Sequence, residues 1–92
     1  MDRQRLEMNL RGAFDATEGQ RRAVVRAAGD LADSGQYQAD IGADLTPESI
    51  IHELQDAPDD HDLVECWNWW IGSLEIAYGG YEQFRVVRWA SE

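Results

Sequence analysis

Apolar residues recur at intervals of three and four along most of this chain, and that period is its first legible feature. Leu6, Leu10, Ala13 and Phe14 share one face of a helix over residues 2–15. Asp15-Ala16-Thr17-Glu18-Gly19-Gln20 then offers two overlapping capping boxes, Asp15 with Glu18 and Thr17 with Gln20, which break that helix near residue 16 and open a second. In the second helix, over residues 18–33, Ala23, Val24, Ala27, Ala28 and Leu31 form a narrow stripe, and Ser34-Gly35 stops it. Tyr37, Ala39 and Ile41 alternate with Gln38, Asp40 and Gly42, the period of a short strand or else a polar loop. Thr46 caps a third helix with Pro47 at its first position and Ile50, Ile51 and Leu54 facing inward; Ala57-Pro58 ends it.

The densest periodicity lies in Asp60–Gly80, DHDLVECWNWWIGSLEIAYGG, with Asp59 or Asp60 as its cap. At 100° per residue, Leu63, Val64, Trp67, Trp70, Ile71, Leu74, Ala77 and Tyr78 make one broad apolar stripe. Trp69 and Ile76, seven apart, meet on the opposite side with Gly72 beside them, so this helix has two surfaces that need cover. After Gly79-Gly80, the β-branched and aromatic content of Tyr81–Trp89 predicts a C-terminal strand. A lone strand needs a partner, either residues 36–41 or its own copy in a second subunit. The expected fold is a mainly helical α+β domain: three shorter helices around a Trp-rich central helix, with the C-terminal strand. An all-α four-helix domain is the alternative.

Length and composition narrow this picture without giving it a function. Ninety-two residues, 43% of them hydrophobic, fit one small folded domain over residues 1–92. Eighteen acids stand against eight bases, for a formal net charge of −10, and every base is arginine. This acidic, lysine-free composition resembles that of proteins from salt-in halophiles such as haloarchaea. Carboxylates stay hydrated in molar salt, where screening over about 3 Å removes their mutual repulsion. No apolar run follows Arg3 and Arg5 to make a signal peptide, and none approaches the length of a membrane span. With a lone cysteine, Cys66, the chain reads as cytoplasmic and free of membrane association.

Candidate chemistry is sparse. His61 and Glu65 are four apart on one helix, and His52-Glu53 lies across a turn holding Asp56, Asp59 and Asp60, but no zinc, EF-hand or phosphate-loop spacing is present. Cys66 is five positions from His61 and shares no helix face with it, so no nucleophilic pair is assembled. The expectation is a non-enzymatic protein without cofactor or metal. Its leading reading is a protein-protein interaction module, an adaptor or regulatory subunit that self-associates, as a homodimer for instance, through the Trp69/Gly72/Ile76 face or the C-terminal strand. The alternative is a small regulator that binds nucleic acid through Arg21, Arg22 and Arg26. Residues 1–26 hold six arginines against four acids, whereas residues 27–84 hold thirteen acids and no base.

Overall fold

The computed structural model describes residues 1–87, and among them the fold is all-helical. Five α-helices run in order: α1 Arg3–Ala13, α2 Glu18–Ser34, α3 Gln36–Ile41, α4 Pro47–Gln55 and α5 Leu63–Tyr78, followed by a single 3-10 turn over Glu82–Phe84. α2 packs on α1, α3, α5 and the 3-10 turn, and α4 closes the group by packing on α1 and α5.

Most helix ends obey local side-chain chemistry. Of the two overlapping boxes before α2, Thr17 is the cap, its side chain accepting from the Gln20 amide. Thr46 caps α4 in a reciprocal box with Ser49, and Pro47 follows at the first helical position. α5 begins three residues later than expected for an Asp59 cap. Asp62 is its cap, because Asp62 alone has Glu65 three residues ahead to complete a capping box. Gln20 of α2 reaches across to accept from the Val64 amide, so a buried polar side chain on one helix satisfies the first turn of another.

The interior is the apolar stripes, now facing one another. Leu6 and Leu10 of α1, Val24, Ala28 and Leu31 of α2, Ile50 and Leu54 of α4, and Leu63, Val64, Trp67, Trp70, Ile71 and Leu74 of α5 are all buried. The expected stripe of α5 ends one turn early: Ala77 and Tyr78 are exposed.

Two expectations are overturned. Residues 36–41 are neither strand nor loop but the short helix α3. Tyr37 and Ile41, four apart, lie inward together while Ala39 is exposed, a spacing that fits one turn of helix as well as alternation. Gly35 and Gly42, at φ 72° and 84°, bracket that turn in the left-handed conformation that glycine adopts without strain.

The C-terminal strand is also absent from the described residues; Arg88 and Trp89, at the end of its expected span, lie outside them. Gly79 and Gly80 both have positive φ and reverse the chain. The Glu75 carboxylate then accepts from the Tyr81 and Glu82 amides at 2.8 and 3.1 Å and fixes a turn where the strand was expected to start. Among the described residues the fold is therefore not the expected α+β domain; it is all-α, as in the alternative, but with five helices in place of four and a pinned C-terminal segment.

Candidate protein interaction site

The four residues Trp67-Asn68-Trp69-Trp70 occupy one turn of α5, and the 100° step between them sends Trp67 and Trp70 to the core and Asn68 and Trp69 to other surroundings. Trp67 is fully buried, its indole N–H donating to the Phe84 carbonyl at 2.8 Å. Trp70 is buried beside it, with ring centroids 5.4 Å apart at 75°, and Tyr37 of α3 completes an edge-to-face run at 5.9 Å.

Asn68 lies between the buried and exposed sides. Its side-chain N–H donates to the Val86 carbonyl and its side-chain oxygen accepts from the Val86 amide, each at 2.9 Å. One amide side chain thereby satisfies both backbone groups of Val86, the role a neighbouring strand would play in a sheet. This is the physical reason the segment needs no partner strand.

A second set of contacts holds the turn before it. The hydroxyl of buried Tyr81 donates to Asp40 Oδ2 at 2.7 Å, and Gln36 donates to the Gly80 carbonyl at 2.9 Å. Burial, followed by the Asp40 contact, raises the Tyr81 phenol well above its ordinary value, so it remains a donor. Glu75 is shifted the other way: the amide of Tyr81 first, and those of Glu82 and Gly80 after it, hold its carboxyl below the ordinary carboxylate value. A lowered native value means that stabilisation is complete above the ordinary pKa of 4.5 and is lost as pH falls through the lowered one. An acid titration followed by near-ultraviolet circular dichroism should accordingly show a transition below that pH, and Glu75→Gln should reduce its amplitude.

Trp69 points outward. It is 37% exposed, Ile76 is 90% exposed, and a side chain added at Gly72 between them would meet no atom within 4 Å. Glu65 and Ser73, which fall on the same side of α5, are exposed too. The structure thus brings Trp69, Gly72 and Ile76 together on one open face, and the C-terminal segment lies over Trp67 and Asn68 instead.

The three arginines are separated. Arg21 is only 14% exposed, donates to Glu7 Oε2 at 2.8 Å and to the Ala16 carbonyl at 2.6 Å, and locks the α1–α2 junction. Arg22 pairs with Glu18 on the surface, and Arg26 is exposed with no carboxylate in ion-pairing range among the described residues. Arg3 and Arg5 bridge to Asp33 and Glu48 of the acidic stretch.

His52, Glu53 and Asp56 place their ligand atoms within 4.8 Å of one another at the end of α4, His52 and Asp56 being exposed. His61 faces Asp60, its neighbour, at 3.3 Å. The Cys66 thiol points to the His61 carbonyl at 3.8 Å rather than to an imidazole. Burial, with Asp62 and Glu65 nearby, pushes its pKa up and keeps it protonated. Asn68, Gln36, Asp40 and Glu75 escaped the sequence reading. The available signal was Asn68 itself, a polar residue of modest helix propensity inside an apolar run, whose amide needs partners.

A family model described as the WNWW domain matches residues 1–75, so the chain belongs to that family, whose name spells Trp67-Asn68-Trp69-Trp70. No curated protein and no solved structure matches the chain.

Proposed function

We propose that this WNWW-domain protein is a small non-enzymatic interaction module, an adaptor or regulatory subunit, that associates with a second copy of itself through the Trp69/Gly72/Ile76 face. The observation that carries this reading is the outward Trp69. Two of the tetrapeptide's tryptophans are consumed by the core and its asparagine by the C-terminal segment, whereas part of the Trp69 indole and nearly all of Ile76 are left in water. Tryptophan anchors of this kind dominate binding energy where they are desolvated by a partner, and Gly72 leaves room for close approach. The C-terminal strand plays no part in this reading, and the nucleic-acid alternative is weakened by Arg21, whose guanidinium is committed inside the protein.

Light scattering on a size-exclusion column tests it. The wild-type chain should run as a dimer and Ile76→Arg as a monomer that keeps the wild-type far-ultraviolet circular dichroism spectrum, since a 90% exposed side chain contributes about 0.5 kcal/mol or less to folding of the single chain. A monomeric wild type sinks the reading.

The proposed setting is a salt-adapted cytoplasm, which the eighteen carboxylates and the absence of lysine favour. The melting temperature should then climb as KCl is raised from low to molar concentration, as repulsion within a chain of net charge −10 is screened. A flat profile contradicts the salt-adapted setting while leaving the interaction face untouched. No described helix is long and apolar enough to cross a membrane.

A further inference from the structure

A groove of about 320 Å³ runs between α2 and the segment Gln83–Val87, and no residue of α5 lines it. Its floor is small and apolar: Ala23 and Ala27 from α2, Phe84 and Val86 from the segment. Its rim carries Arg22, Arg26 and Arg85, three of the eight bases in a chain of net charge −10, with Asp30 the one carboxylate on the lining. Arg26 has no ion-pair partner among the described residues. The pairs Arg22–Glu18 and Arg85–Glu82 are solvent-exposed, and pairs of that kind exchange readily for another carboxylate.

The segment wall has a second property. Arg85 is extended, at φ −70° and ψ 147°, and Val86 turns both of its backbone groups to Asn68. Neither the Arg85 carbonyl nor the Val87 amide has a hydrogen-bond partner among the described residues. Val87 is 86% exposed.

We infer that this groove receives an extended acidic segment of a partner protein, which adds alongside Arg85–Val87 and sets its carboxylates against Arg22, Arg26 and Arg85. The backbone edge supplies register, as in strand addition to a sheet edge, and the guanidiniums supply charge selection. An extended peptide fits both features, because it carries its own amide and carbonyl groups together with side-chain carboxylates. A nucleic acid offers phosphates to the arginines but no backbone of regularly spaced amides and carbonyls to run along the edge, and the thirteen acids of residues 27–84 repel a long phosphate track. The surface is separate from the Trp69 face, so this inference does not depend on self-association.

Fluorescence anisotropy with a labelled peptide of alternating glutamate and valine tests it on the full chain, beside a lysine-valine peptide and a single-stranded oligonucleotide. The acidic peptide should bind saturably and more tightly than the lysine peptide, an order opposite to the one net charge alone dictates. Arg26→Glu should weaken it about tenfold with an unchanged melting temperature. Val87→Pro, which deletes an amide that has no partner among the described residues, should weaken it about fivefold. Absence of saturable binding, a preference for the lysine peptide or the oligonucleotide, or indifference to both substitutions overturns the inference. Displacement of the peptide by an equal concentration of inorganic phosphate also overturns it, by reducing the site to simple anion capture.

Discussion

Trp67→Ala should destabilise the protein by about 3–5 kcal/mol, the largest effect expected of any substitution in α5. The indole is fully buried, so its removal leaves a cavity among Trp70 and the other residues of the core that cannot collapse to fill it. The same change strips the Phe84 carbonyl of its donor, and a buried acceptor left unpaired costs about 1–3 kcal/mol. Against a total stability of about 5–15 kcal/mol for a domain, the variant sits near the edge of folding. Thermal denaturation should show a fall in melting temperature of about 15 °C or more. A fall of only a few degrees would mean that Trp67 is not the centre of the core.

Asn68→Asp is the second large effect, and it separates hydrogen bonding from packing. The substitution is nearly isosteric and keeps an oxygen to accept from the Val86 amide. It also places a carboxylate oxygen where the side-chain N–H donated, facing the Val86 carbonyl. A lost charge-free bond and an opposed pair of acceptors together cost about 1–3 kcal/mol. The loss should be local before it is global: the Val86 amide should exchange with solvent much faster, while amides in the middle of α2 keep most of their protection. Unchanged protection at Val86 would show that the segment is held by Trp67 and Phe84 alone. By contrast with Trp67→Ala, secondary structure should persist.

These two residues also mark where the sequence could and could not be read. The apolar stripes of α1, α2, α4 and α5 were legible because burial on one face of a helix imposes a period that survives in the chain. The placement of Trp67 inside followed from the same period, whereas Trp69 and Ile76 were read only as a second surface needing cover, and the structure leaves them exposed. α3 was not legible, since Tyr37, Ala39 and Ile41 satisfy a period of two and of four over so short a stretch, and the two flanking left-handed glycines decide the outcome.

The C-terminal strand failed for a different reason. Its β-branched and aromatic composition does favour extended backbone, and Arg85 is extended. What no local pattern reveals is that the partner for that backbone is a side chain, Asn68, eighteen residues away. Nor does spacing reveal that Glu75 caps the turn at Tyr81 and Glu82. Of the arginines, the sequence showed the clustering but not its division, with Arg21 drawn into the α1–α2 junction and Arg22 and Arg26 left at the surface.

The central claim is that one turn of α5 divides its tryptophans between a core and a contact face. Nuclear magnetic resonance of the indole N–H groups, recorded through a dilution series at constant salt, tests it most directly. The Trp69 resonance should shift as the protein is diluted and the contact face returns to water, while the Trp67 resonance, its N–H held by the Phe84 carbonyl, stays in place. A Trp69 resonance that does not move with concentration, or a Trp67 resonance that moves with it, would contradict the account.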